Sequence, residues 1–204
     1  PQWGNVFQVA LGGGEPLEHP DFFDIISLTH QYNIIPNFTT NGIHLNEKNI
    51  SVLYGKVGAV AVSVNSLELI NATNIRLLIE SGIKTNLHFL LNNKTIGQAI
   101  KILDGRYNSI LRGLNGIIFL TYKPSGRARY EDCLKFDSSL KKFISRIDSN
   151  KCNASIGFDA CFVPILLHLT NTNTSFIDAC ECAYFSVYID EGLNVKPCSF
   201  SNDN

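Results

Sequence analysis

Gly12-Gly13-Gly14-Glu15, followed by Pro16, stands directly after the apolar run Val6-Phe7-Gln8-Val9-Ala10-Leu11. That run reads as a buried strand, which the glycines end abruptly. Three consecutive glycines let the backbone approach a ligand closely, because no Cβ intervenes. A single carboxylate then follows at the strand's carboxyl end. A carboxylate beside bare carbonyl oxygens suits a ligand that carries a positive ammonium group. A phosphate instead wants backbone N–H groups and a Lys, so this is not the pattern of a dinucleotide site or a P-loop. The plainer alternative is a tight strand-to-helix turn with an incidental Glu.

Other polar side chains fall at the ends of apolar runs. Thr39, Thr40 and Asn41 close the run 34–40, and Ser63 and Asn65 sit in the run 59–65. His88 lies within 85–91, and Thr121, Tyr122 and Lys123 end 116–121. A polar group inside a buried strand costs on the order of 1–3 kcal/mol unless it is hydrogen-bonded. Ser63 therefore calls for a ligand or a neighbouring backbone partner. His88 is either a pocket residue or a core histidine satisfied by a neighbour. Lys123, Arg127 and Arg129 could bind a carboxylate or an acidic peptide, or form an ordinary solvated loop.

Strands and helices must alternate to place these groups. Runs 6–11, 34–40, 59–65, 85–91 and 116–121 read as parallel strands covered by helices. Helical patterns occupy 20–32, 47–54, 67–81, 95–107 and 130–147. In the third, Leu69, Ile70, Leu77 and Leu78 are spaced for one buried face. In the last, Leu134, Leu140 and Phe143 point inward. Repeated βα units with right-handed crossovers predict a parallel sheet whose ligands bind at the carboxyl ends of its strands. After about residue 150 the pattern changes. Phe185, Val187 and Ile189 alternate with polar residues, Glu191-Gly192-Leu193-Asn194 reads as a turn, and Val195-Lys196-Pro197 returns, so a small hairpin is predicted between Cys182 and Cys198.

The chain has 204 residues, 45% hydrophobic and 17% charged, and a net charge of −1. This fits a folded globular protein and gives no argument for nucleic acid or an anionic membrane surface as partner. No apolar stretch is long enough to span a bilayer. All six cysteines lie at or after residue 133. Clustering in one segment of an α/β chain favours a metal or iron–sulfur site in a reducing, cytoplasmic compartment over a disulfide scaffold, which remains the alternative. Opening on Pro1 and containing no Met, the chain reads as a fragment of a longer protein.

Gly12-Gly13-Gly14-Glu15-Pro16-Leu17 after a strand, with His19-Pro20-Asp21-Phe22 opening a helix, resembles radical S-adenosylmethionine (SAM) enzymes. Ile34-Ile35-Pro36-Asn37-Phe38-Thr39-Thr40-Asn41-Gly42 is similar to the next strand of that family, with its Thr-Asn-Gly exit. The resemblance implies a partial (β/α)6 barrel. Strand one and its C-x-x-x-C-x-x-C loop, which carries the catalytic [4Fe–4S] cluster, would lie before Pro1. Residues 1–150 would be strands two to six of the barrel, and 151–204 a small α+β auxiliary-cluster region.

The resemblance further implies that Gly13, Gly14, Glu15 and Pro16 meet the methionine amino group of SAM. Thr40, Asn41, Ser63, Asn65, His88 and Tyr122 complete the expected SAM-contacting set. The segment from Cys182 through Gly192 to Cys198 is similar to the opening of a SPASM or twitch domain, with the glycine and second cysteine one residue further apart than is usual there. Cys161, Cys180, Cys182 and Cys198 are then the expected ligands of an auxiliary [4Fe–4S] cluster, unless one ligand lies after Asn204 or the substrate fills an open iron. Cys133 and Cys152 read as structural thiols.

A family member of this kind cleaves SAM to a 5′-deoxyadenosyl radical that abstracts hydrogen from a peptide or small-molecule substrate. It takes its electron from a donor such as a flavodoxin or ferredoxin. The alternative is a degenerate barrel that holds SAM or a peptide without catalysis, and a third reading is a flavodoxin-like or TIM-type enzyme using Glu15 as a base.

Overall fold

The computed structural model describes residues 6–126 and 128–201. Arg127, one of the loop cations noted in the sequence, lies outside them. Six strands form one parallel sheet in sequential order: β1 (Gln8–Leu11), β2 (Ile35–Thr40), β3 (Val60–Val64), β4 (Thr85–Leu91), β5 (Gly116–Thr121) and β6 (Ser155–Phe158). The connecting helices are α1 (Phe22–Gln31), α2 (Glu47–Leu53), α3 (Ile75–Glu80), α4 (Ile96–Leu103) and α5 (Ser138–Ile147). A sixth helix, α6 (Val163–Leu169), follows β6. Each strand adds beside the previous one, always in the same direction. Right-handed crossovers then put every helix on the same face and leave the other face of the sheet uncovered.

Burial follows that rule. In β4, Thr85, Leu87, Phe89 and Leu91 are buried, while Asn86, His88 and Leu90 between them are only half-buried. The strands are therefore covered on one face, not on both as their apolar runs suggested. Four phenylalanines fasten the far end of the sheet to its helices. The Phe119 ring lies 5.3 Å from Phe143 and 5.6 Å from Phe158, and Phe158 stacks on Phe162 at 4.9 Å. This cluster recruits β6, which pairs in parallel with β5 from Gly116↔Ser155 to Phe119↔Phe158. The sheet thus continues past residue 150, where the sequence pattern changes. With only four residues, Ser155–Phe158 was too short a run to read as a strand.

Two predicted helices are shorter and broken. Residues 67–81 form a 3-10 turn, Leu67–Ala72, and then α3. The break falls at Thr73, whose hydroxyl donates to Ile70 O at 2.7 Å, and at Asn74, whose side-chain amide donates to Leu45 O at 2.8 Å. The change of direction turns Leu69 to solvent, 52% exposed, while Ile70 and Leu78 stay buried. Residues 130–147 form a 3-10 turn and then α5, capped by Asp137, whose carboxylate accepts from Ser139 N at 2.8 Å and Leu140 N at 3.1 Å. Leu134 packs against the core from the loop between them. The tail carries the predicted hairpin, β7 (Tyr188–Ile189) antiparallel to β8 (Val195–Lys196). Among the described residues, no helix is long and apolar enough to cross a membrane.

Gly42 fixes the exit of β2. Its φ is +77°, and a Cβ there would come within 2.9 Å of Thr73 Cβ and 3.2 Å of Val62 Cγ1. Gly42→Ala is expected to cost about 2–3 kcal/mol, from the left-handed backbone and the overpacking together. Urea unfolding of the two proteins checks this through the midpoint shift.

Candidate functional site at the strand carboxyl ends

The exits of β1 and β2 are tied together by Glu15. Its Oε1 accepts from Thr40 Oγ1 at 2.6 Å and from Leu17 N at 3.2 Å, and its Oε2 accepts from Asn41 N at 2.7 Å. The Thr40 hydroxyl accepts in turn from Gly42 N at 3.0 Å. Asn41 keeps its side-chain oxygen in a local turn with Ile43 N at 2.9 Å. Pro16 is buried and starts a short 3-10 turn, where its missing N–H leaves no donor unpaired. Glu15 is in no ion pair among the described residues, so its carboxylate remains the local negative charge.

Beside it the backbone is bare. Gly12, Gly13 and Gly14 are exposed, and a Cβ on any of them would meet nothing within 4 Å. Packing within the protein therefore does not require glycine at these positions. Gly13 alone needs it for its backbone, at φ +116°. The open space beside three uncovered peptide units is where a ligand can lie against main chain, with a carboxylate at its edge to pair with a cation.

The uncovered face of the sheet carries the next candidates. Ser63 stands in register with His88 on β4, which stands in register with Ile118 on β5. Neighbouring strands are about 4.8 Å apart, so Ser63 and His88 are adjacent. Ser63 is exposed, not buried as its apolar neighbours suggested, because it points to the open face while Val60, Val62 and Val64 fill the core. Asn65 follows β3 and is exposed as well. Neither side chain has a hydrogen-bond partner among the described residues.

Burial lowers the His88 pKa below its usual 6.5. The imidazole is neutral at pH 7 and can exchange hydrogen bonds with a carboxylate or hydroxyl. The unfolded chain takes up the proton first as pH falls. Stability from this site is therefore full above about pH 6.5 and is lost as pH drops through the lower folded value. His88→Gln should remove that part of the acid sensitivity, which denaturant titrations at pH 7.5 and pH 5.5 check.

At the β5 exit, the Tyr122 hydroxyl accepts from Arg129 N at 2.6 Å and pins the loop. Arg129 pairs with Glu131 at 3.2 Å in solvent. Lys123 is not a solvated loop cation. Its Nζ pairs with Asp159 Oδ2 at 2.5 Å, both side chains largely covered, and lies 4.6 Å from the Phe200 ring centroid. Thr121 Oγ1 donates to Asp159 Oδ1 at 2.6 Å. Asp159 follows β6 as Glu15 follows β1, an acidic side chain just past a strand. Sequence reasoning passed over it because β6 was not recognised.

In the tail, the Cys182 thiol donates to Pro197 O at 3.0 Å, and its pKa is raised by partial burial and then by the neighbouring Cys180 and Cys198. Cys180, Cys182 and Cys198 line one cavity of about 690 Å³, and Cys161 does not. Among the described residues, no three His, Cys, Asp or Glu side chains close around a point that could hold a metal ion. All six cysteines are free thiols, and Cys152 packs against the core. Three thiols on one cavity fit a thiolate-held cluster in part, and Cys161 is not brought to them.

No family model matches the chain. Over 109 residues it is 27% identical to the PqqA peptide cyclase of Gluconobacter oxydans, covering 46% of this chain and 30% of that protein. Over 41 residues it is 39% identical to the mycofactocin maturase MftC of Mycobacterium ulcerans, covering 20% and 11%. Its fold matches Streptococcus suis SuiB bound to S-adenosylmethionine with a TM-score of 0.70 at 15% identity, covering 94% of this chain and 49% of that one. SuiB is also known bound to its precursor peptide SuiA. The chain thus spans about a third of the cyclase and about half of SuiB.

Proposed function

We propose that this chain, whose curated relatives and structural neighbours are radical SAM enzymes, is the central portion of a radical SAM enzyme acting on a ribosomal peptide. The observation that carries the reading is the uncovered backbone of Gly12, Gly13 and Gly14 beside the unpaired charge of Glu15. The methionine ammonium of SAM would donate to the carbonyls of Gly13 and Gly14 and lie near the Glu15 carboxylate. Thr40 and Asn41 hold that carboxylate in place. Ser63 and Asn65 offer a hydroxyl and an amide to the ribose and carboxylate, with neutral His88 beside Ser63. Tyr122 acts one step removed, by fixing the loop after β5.

The catalytic [4Fe–4S] cluster would be held by thiolates before Pro1, with an electron from a flavodoxin or ferredoxin. When bound, it would supply the electron transfer that cleaves SAM reductively. A peptide substrate is supported by the named activity of the cyclase and by the SuiB complex with SuiA. Cys180, Cys182 and Cys198 would hold an auxiliary [4Fe–4S] cluster, with the fourth iron left to Cys161, to a residue after Asn204 or to substrate. Thiol chemistry of this kind belongs to a reducing cytoplasm.

The test is anaerobic reconstitution of the full-length protein with iron and sulfide, followed by reduction in the presence of SAM. The expected result is iron–sulfur absorption and accumulation of 5′-deoxyadenosine. SAM binding with no iron–sulfur absorption and no 5′-deoxyadenosine supports the non-catalytic alternative and contradicts this one.

A further inference from the structure

Among the described residues β6 is an edge of the sheet, and that edge is unpaired. Asp159 N donates to Phe119 O at 3.1 Å, toward β5. In a parallel ladder alternate residues bond to the same side, so Ser155 and Gly157 also face β5, and Ile156 and Phe158 direct their N–H and C=O groups outward. Among the described residues, nothing hydrogen-bonds to those outward groups. Such an edge is a template for another extended chain. It does not face open solvent: Ile156, Gly157 and Phe158 form one wall of the cavity of about 690 Å³ beneath the tail. Ile177, Val187 and Leu166 add apolar lining, and the only charged lining residues among those described are Asp178 and Glu181. No lining residue among those described is basic.

We propose that the β6 edge is a binding site for an extended peptide that alternates apolar and basic residues. The peptide adds as a seventh strand. Its main chain pairs with Ile156 and Phe158, its apolar side chains enter the cavity, and its cationic side chains meet Asp178 and Glu181. Main-chain pairing supplies affinity and the charged, apolar-lined cavity supplies selection. The site lies on the last strand, away from Gly12, Gly13, Gly14 and Glu15 on the first, and binding there needs no SAM. Because Cys180, Cys182 and Cys198 line the same cavity, the site must persist when any cluster they hold is in place.

The experiment uses the full-length protein after anaerobic reconstitution. The probes are capped six-residue peptides of alternating Val and Lys, the same with Glu for Lys, and the Lys peptide N-methylated at alternate amides. The Lys peptide should bind and slow amide exchange at Ile156 and Phe158. The Glu and N-methylated peptides should each bind at least about fivefold more weakly, from lost charge pairing and lost main-chain bonds. Asp178→Lys with Glu181→Lys should weaken the Lys peptide by a similar factor and leave SAM affinity unchanged. The proposal is overturned by equal binding of the N-methylated peptide, by an unaffected double variant, by exchange protection only at Ser63 and His88, or by binding that disappears on reconstitution.

Discussion

Glu15→Ala is expected to raise the dissociation constant of the full-length protein for SAM by about a hundredfold, equivalent to about 3 kcal/mol. Two effects combine. The first is the loss of a negative charge beside the bound ammonium. The second is the loss of a clasp, since one carboxylate holds Thr40 Oγ1, Asn41 N and Leu17 N at 2.6, 2.7 and 3.2 Å. Hydrogen bonds to a charged acceptor contribute about 1.5–3 kcal/mol each, and water recovers part of this on removal. Glu15→Gln separates the two effects, because it keeps an oxygen for the clasp and drops the charge. It should weaken SAM binding with little change in unfolding temperature. Calorimetric titration with SAM reads both variants, and affinity equal to wild type in Glu15→Ala would remove Glu15 from the site.

The second large effect is expected in the tail. Cys182→Ala and Cys198→Ala should each remove the auxiliary cluster's share of bound iron and sulfide, about four irons, while the catalytic cluster's share remains. Cys182 is the centre of the thiol group, interacting with both Cys180 and Cys198. Its thiol is held above its ordinary pKa, and metal binding must displace that proton, so reconstitution should be less complete at lower pH. Cys161→Ala should leave the iron content unchanged if the cavity holds its own ligand set, since Cys161 does not line it. Iron and sulfide analysis of the four proteins decides the matter. Unchanged iron in Cys182→Ala would remove the auxiliary cluster from the account.

Much of the fold is written in the sequence because five of the six strands are long apolar runs closed by polar exits. Gly13 after β1 and Gly42 after β2 have the residue type their left-handed backbone requires, and Glu15, Thr40 and Asn41 join the two exits through hydrogen bonds. What periodicity hides is which face of a strand is covered. Ser63 sits among valines and looks buried, yet the one-sided placement of the helices leaves it in the open. β6 is hidden for a different reason. Its four residues are held by tertiary packing of Phe158 against Phe119 and Phe162, not by any local pattern. Asp159 was missed with it. The break at Thr73 and Asn74 is likewise set by contacts with distant Leu45 and Ile43, which no 3.6-residue period records.

The central claim is that SAM lies against the exits of the first strands with its ammonium at Glu15. A crystal structure of the anaerobically reconstituted full-length protein with SAM tests this most directly. The account predicts the methionine nitrogen within about 3.2 Å of the Gly13 or Gly14 carbonyl oxygen and beside the Glu15 carboxylate. It also predicts the ribose at Ser63 and Asn65. SAM bound elsewhere, or a methionine group turned away from Glu15 with another ligand against the three glycines, would contradict it.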